Sequence, residues 1–187
     1  MKNYQITEWC RFFIRQHVSP GDLCIDATAG NGHDTLFLSS LVKERGQVLA
    51  FDIQQQALDA TRRRLALASA LENVSLILDS HSHMNQYALP STVSCIVFNL
   101  GYLPGGDHAV ATKPETTISA ILQGLSLLKP KGLISLCIYS GGDSGFAERD
   151  ALLDFLKTLD AKRYLVILSQ YYNRPHNPPI PALILKL

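Results

Sequence analysis

The stretch LCIDATAGNGHDT, residues 23–35, decides the fold. It opens as an apolar run from Leu23 to Ala27, turns through Gly30-Asn31-Gly32 and enters residues 33–42, which read as a helix. A strand, a tight turn and a helix in that order begin a βαβ unit. Outward from it the same alternation repeats. A second strand over 47–51 ends at Asp52 and precedes a long helix over 54–70, rich in Ala, Leu and Arg. Residues 74–78 and 93–98 are nearly continuous apolar runs, as in strands covered by helices on both faces. A helix over 116–128, a strand over 132–139 and a helix over 147–159 follow, and an amphipathic helix over 6–18, stopped by Ser19-Pro20-Gly21, precedes everything.

Alternation of this kind builds a parallel, doubly wound sheet. The end departs from it: residues 164–172 and 182–187 are strand-like, and the Pro/Asn loop between them leaves no room for a crossover helix, so they pair antiparallel. The expected fold is therefore α/β: a class I, Rossmann-like methyltransferase layout. It has a mostly parallel seven-stranded sheet, a carboxyl-terminal antiparallel hairpin and helices on both faces, in a single domain over residues 1–187.

Composition agrees. Of 187 residues 47% are hydrophobic and 18% charged, which excludes a disordered chain and suits one continuous core. Seventeen basic against sixteen acidic residues give a net charge of +1, so no global field draws the protein to a polyanion, and any nucleic-acid contact must be local. No apolar run reaches the ~18 residues of a membrane span, and the amino terminus lacks a signal-peptide core, so a cytoplasmic protein with no membrane partner is expected. Cys10, Cys24, Cys95 and Cys137 have no CxxC spacing and read as buried free thiols.

Glycines at the first turn accept positive φ and admit a ligand close to the backbone, although two glycines alone also make a plain turn. Asp52, 20 residues after Gly32, ends the second strand, where a carboxylate can accept both hydroxyls of an adenosine ribose. NAD and S-adenosyl-L-methionine share that need. A dinucleotide wants a third glycine to admit its pyrophosphate, and Thr35 stands there, so the methyl donor is favoured. Ser80 and His81 follow the third strand as cofactor-edge contacts; His81 and His83 have a metal-like spacing without a third ligand, and no metal is expected.

A second signal, Asn99-Leu100-Gly101-Tyr102-Leu103-Pro104, lies at the carboxyl end of the fourth strand, facing the ligand crevice. Amine-directed methyltransferases place an Asn-Pro-Pro-Tyr motif there, and Asn99 and Leu100 can offer the same two carbonyl acceptors to a target amine. Its lone pair must be free and aimed for in-line attack on a sulfonium methyl. Tyr102, Asp107, His108 and Tyr139 are the candidate proton-handling groups, with no base assigned among them. Tyr171, Tyr172, Asn173, Arg174, His176 and Asn177 form an aromatic and basic loop suited to RNA or simply polar. Arg62-Arg63-Arg64 reads as a solvated helix face.

At these motifs the chain resembles the MnmM (YtqB-like) family of S-adenosylmethionine-dependent tRNA wobble-uridine methyltransferases, earlier described as rRNA methylases. The matching stretches are residues 26–28 and 30–35, Phe51-Asp52-Ile53-Gln54, Ser80-His81, residues 98–107 with the specific run NLGYLPGGD at 99–107, and Asn177-Pro178-Pro179. The resemblance implies cofactor contacts from Asp26, Thr28, Gly30, Asn31, Gly32, Asp34, Thr35, Asp52, Gln54, Ser80, His81, Asn99 and Gly101. Leu100, His108, Tyr172, Asn173, Arg174 and His176 are the expected substrate contacts, and the resemblance implies a tRNA anticodon stem-loop as partner. The implied reaction is methylation of the 5-aminomethyl amine of 2-thiouridine at the wobble position. The family's Tyr-His-Gly-His after the fifth strand is replaced here by Tyr139-Ser140-Gly141-Gly142, which bears on substrate choice if those histidines meet substrate. A methyltransferase acting on rRNA or on a small amine, and a non-catalytic RNA-binding protein on a relic cofactor fold, are the rival readings; a homodimer is compatible with the sequence but not specified by it.

Overall fold

A computed structural model describes residues 5–100, 114–139 and 145–187. Its elements in chain order are α1 (Ile6–His17), β1 (Leu23–Asp26), α2 (His33–Val42), β2 (Gln47–Asp52), α3 (Gln55–Leu67), β3 (Val74–Leu78), a 3₁₀ turn (His81–Gln86), β4 (Val93–Leu100), α4 (Pro114–Leu127), β5 (Leu128–Ile138), α5 (Gly145–Lys157), β6 (Tyr164–Leu168) and β7 (Ile180–Lys186). The strands form one sheet in the order β3-β2-β1-β4-β5-β7-β6. The first five are parallel, and β7 pairs antiparallel with both β5 and β6.

Strand side chains alternate between faces, and the two faces gather different helices. Ile25, Phe51, Ile96, Phe98, Ile134, Leu136 and Ile184 pack with Ile121 and Leu125 of α4, Leu152 and Leu156 of α5, and Met84. On the other face Cys24, Val48, Cys95, Val97 and Leu183 meet Ile14 of α1 and Leu38 and Val42 of α2. Leu58 of α3 joins Ala29 and Ala50 on that side. The same alternation places Asp26 after Cys24, and Asn99 after Cys95 and Val97, on the α1/α2 face. All four cysteines are buried and free.

The expected class, order of elements along the chain and antiparallel hairpin hold, with several element ends shifted. Helix α3 stops at Leu67 rather than 70, because Leu67 stands in solvent and Ser69 turns to φ 52°. Strand β5 begins at Leu128 rather than 132: Leu128 pairs with Val93, and a register shift absorbs residues 129–132 around Lys131 at φ 65°. Strand β6 ends at Leu168 rather than 172; Leu168 is its last residue paired with β7, and Tyr171 leaves the sheet to pack on Ile6, Cys10 and Cys137.

Candidate functional site

At the carboxyl edge of the central strands the chain leaves β1 through two left-handed glycines, Gly30 at φ 52° and Gly32 at φ 76°. A Cβ on Gly32 would lie 2.8 Å from Thr61 Cα, so α3 presses directly on the turn. Thr61 Oγ1 donates to the Gly30 carbonyl at 3.1 Å, and Arg64 Nε donates to the Asn31 carbonyl at 2.6 Å. Arg64 also lies 3.0 Å from His33 Nε2. This corrects the reading of the arginine run. Arg62 and Arg63 are exposed, but Arg64, three residues after Thr61 on the same helix, braces the turn. Asp52 closes the turn's other side: Gly30 N donates to Oδ2 at 3.0 Å and Gln54 N to Oδ1 at 2.9 Å. Next to it Ile53 is 58% exposed, an apolar side chain on the rim that the sequence reading passed over.

Beneath the turn Asp26 is fully buried. Thr35 Oγ1 donates to its Oδ2 at 2.6 Å and Thr28 N to its Oδ1 at 3.2 Å. Burial, reinforced by the charge of Asp34 and opposed by these two bonds, pushes the Asp26 carboxyl up to about 7. Thr35 is equally buried, so it holds Asp26 while standing where a dinucleotide site has its glycine.

Asp34, in the first turn of α2, links three elements. Its Oδ1 accepts from Arg11 Nε at 2.9 Å and Nη2 at 2.7 Å, and its Oδ2 accepts from Asn99 Nδ2 at 2.7 Å. The backbone of Asn99 is tied as well, its N–H donating to Thr28 Oγ1 at 2.8 Å. Arg11 is one of the polar positions of the amphipathic helix α1, and nothing in its local sequence pattern marks it for this pairing. The Leu100 side chain is buried in the core, leaving only its backbone to act at the edge.

Ser80 caps the 3₁₀ turn, its Oγ accepting from Ser82 N at 3.2 Å. His81 Nδ1 lies 3.2 Å from the Ala27 carbonyl, and its ring meets Phe98 edge-on at 5.8 Å. A carbonyl only accepts, so Nδ1 carries the proton and Nε2 is an acceptor. That Nε2 is buried without a partner among the described residues, and burial holds the imidazole below its usual pKa, hence neutral. His83 is a surface group bonded to Asp79.

Tyr139 follows β5 on the face of Cys137, which pairs in register with Asn99. Burial and the adjacent Cys137 raise its hydroxyl above the ordinary value, so Tyr139 stays protonated at neutral pH. Because Ile138 pairs with Ile180, β7 starts at this same edge, and the loop before it does too. Within that loop Tyr172, Asn173, Arg174 and His176 are exposed, with Arg174 5.6 Å from the Tyr171 ring centroid. Gly101, Tyr102, Leu103, Pro104, Asp107, His108 and Ser140-Gly141-Gly142 lie outside the described residues. Among the described residues no three His, Cys, Asp or Glu groups converge as metal ligands, and no helix is long and apolar enough to cross a membrane. A groove lined by Gly21, Glu44, Arg45, Gln47 and Glu72 lies at the opposite edge, where the strands begin, and contains none of these groups.

A family model described as "Putative rRNA methylase" matches residues 48–185. The chain belongs to that family. Among curated proteins it is similar to the chloroplastic tRNA (mnm(5)s(2)U34)-methyltransferase of Arabidopsis thaliana, at 36% identity over 181 residues. That match covers 92% of this chain and 66% of the plant protein, so the chain spans slightly under two thirds of its relative's length. Among solved structures, a "putative rRNA-methylase" from Clostridium thermocellum shares 41% identity with TM-score 0.96, covering 100% of both chains. The "putative methyltransferase" SMU.1697c of Streptococcus mutans, solved in complex with SAH, shares 39% identity with TM-score 0.90 over 99% of both chains. The fold of this rRNA methylase family member is thus that of S-adenosylmethionine-dependent methyltransferases, as its strand order and glycine turn imply.

Proposed function

We propose that the chain transfers a methyl group from S-adenosylmethionine to the 5-aminomethyl nitrogen of (2-thio)uridine at the wobble position of tRNA. The residues at the carboxyl edge fit the donor. Asp52 offers two carboxylate oxygens with lone pairs beyond those used by Gly30 and Gln54, suited to vicinal ribose hydroxyls. Exposed Ile53 gives a flat base an apolar cover, and the amino end of α2, where Gly32 makes no side-chain cap bond, offers backbone N–H groups to a carboxylate. His81 Nε2 is a buried acceptor in want of a donor. When bound, S-adenosylmethionine supplies an electrophilic methyl group on a sulfonium.

The observation that carries the reading is Asn99. With Nδ2 committed to Asp34, its Oδ1 is left as an acceptor, and the Leu100 carbonyl is the natural second one. Two acceptors hold the hydrogens of a primary amine and aim its lone pair, the kind of positioning from which much of the acceleration comes. Tyr139, kept protonated, serves as a donor and not as the base. The loop with Tyr172, Asn173, Arg174 and His176 supplies stacking and phosphate contacts beside the edge, which compensates for the absence of a global positive field. The name of the Arabidopsis relative, itself chloroplastic, supports this acceptor; for this chain the proposed location of the reaction is the cytoplasm.

The test offers two tRNAs, one carrying aminomethyl-thiouridine and one lacking the aminomethyl group, with labelled S-adenosylmethionine, and reads the nucleosides by mass spectrometry. Methylation of the first alone is expected. Equal labelling of both tRNAs, or labelling only of ribosomal RNA or of a small amine, would overturn the proposal. A chain that binds tRNA without taking up the methyl donor would establish the non-catalytic alternative.

A further inference from the structure

We propose that Arg11 and Asp34 are positioning residues that lock the Asn99 amide with its carbonyl oxygen toward the acceptor amine. The identity of that amine rests on the reading above; the locking itself does not. An asparagine amide has two orientations of nearly the same shape, related by a half-turn about its last bond, and they present opposite hydrogen-bonding characters. In one an acceptor faces the substrate. In the other an NH₂ faces it, which repels an amine's hydrogens and competes for its lone pair.

A carboxylate has no hydrogen to give, so Asp34 Oδ2, 2.7 Å from the Asn99 amide, accepts only Nδ2 and selects the first orientation. The selection holds while the Asp34 carboxylate keeps its place beside the amide. Arg11 secures that with two bonds to Oδ1, at 2.9 and 2.7 Å, and its own guanidinium is steadied by Glu8 Oε1 at 2.9 Å. Both partners are mostly screened from solvent, with side-chain exposures of 20% for Arg11 and 13% for Asp34. Without Arg11 the Asp34 carboxylate loses the two bonds that fix it, can turn away from Asn99, and no longer selects one orientation of the amide. Helix α1 thus reaches the chemistry without touching either substrate, through one guanidinium. Both Arg11 and Asp34 fall outside the segment matched by the family model, residues 48–185.

The experiment measures the Asn99 side-chain N–H pair by ¹⁵N–¹H spectroscopy of the full chain, assigned by its disappearance in Asn99→Asp, alongside single-turnover methyl transfer and cofactor affinity. In wild type the Asn99 Nδ2 protons are expected to exchange slowly. Arg11→Ala should speed their exchange at least tenfold and slow transfer at least tenfold while the cofactor Kd moves less than twofold; Arg11→Lys should recover part of both. Should Arg11→Ala fail to fold, the isosteric Asp34→Asn gives the same reading of Asn99 exchange and of transfer at saturating cofactor, since an amide at position 34 no longer selects one orientation; cofactor affinity is not part of that arm, because Asp34 is itself an expected cofactor contact. Unchanged Asn99 exchange in these variants, or altered exchange with wild-type transfer rates, would overturn the proposal. If wild type methylates no RNA and no amine, the spectroscopic arm still decides the locking, and the failure belongs to the substrate reading.

Discussion

Asp26→Asn tests the energetics of the turn. The carboxyl is fully buried and its pKa is pushed up from 3.8 to about 7, because burial penalises the charged form and Asp34 adds to that. A raised carboxyl pKa means that the folded state holds the proton more tightly than the unfolded chain. Stability from this group is therefore complete below about 3.8 and is lost as pH rises towards about 7. Roughly three pKa units at about 1.4 kcal/mol each make the ionised form cost about 4 kcal/mol. Asparagine removes the charge yet keeps the bonds: its carbonyl can accept from Thr28 N, and the Thr35 hydroxyl can rotate to accept from the new NH₂. Urea unfolding of both proteins from pH 5 to pH 8 should show the variant gaining on wild type by roughly 2 to 3 kcal/mol across the range. Groups common to both proteins largely cancel in that difference. A difference that stays flat with pH, or a variant less stable than wild type at pH 8, would refute the reasoning.

Three further outcomes follow from the site. Asp52→Ala should weaken S-adenosylmethionine binding tenfold or more, since charge-assisted bonds of roughly 1.5–3 kcal/mol are lost; calorimetry on the folded variant checks it, and unchanged affinity would remove Asp52 from the site. Gly32→Ala must place a Cβ 2.8 Å from Thr61 Cα at φ 76°; left-handed strain of ~1–2 kcal/mol and overpacking of ~1–3 kcal/mol should lower the urea midpoint clearly, and a wild-type midpoint would contradict the close approach. Asn99→Ala should leave the cofactor Kd within twofold but abolish most single-turnover methyl transfer, measured with labelled donor; a wild-type rate would exclude Asn99 from holding the acceptor.

Local chemistry determined much of this protein before any tertiary contact was known. Apolar runs at strand length, helical periods between them and Gly30-Asn31-Gly32 at the first turn specify the parallel sheet, because period and turn chemistry are properties of neighbouring residues. Asp52 and Asn99 were legible for the same reason: each ends a strand, and strand ends in a doubly wound sheet converge on one edge. That the last two strands pair antiparallel followed from the short loop between them. Only the tertiary structure decided that β7, the last strand in sequence, inserts between β5 and β6, since burying Leu183 and Ile184 against both sheet faces depends on strands far apart in the chain. It alone recruited Arg64 from an apparently solvated run to the turn, and Arg11 from α1 to Asp34. Those bonds join residues 33 and 23 positions apart. No local period encodes such a pairing; it exists because helices α1, α2 and α3 are packed on the same face of one sheet, which brings their polar side chains to a common edge.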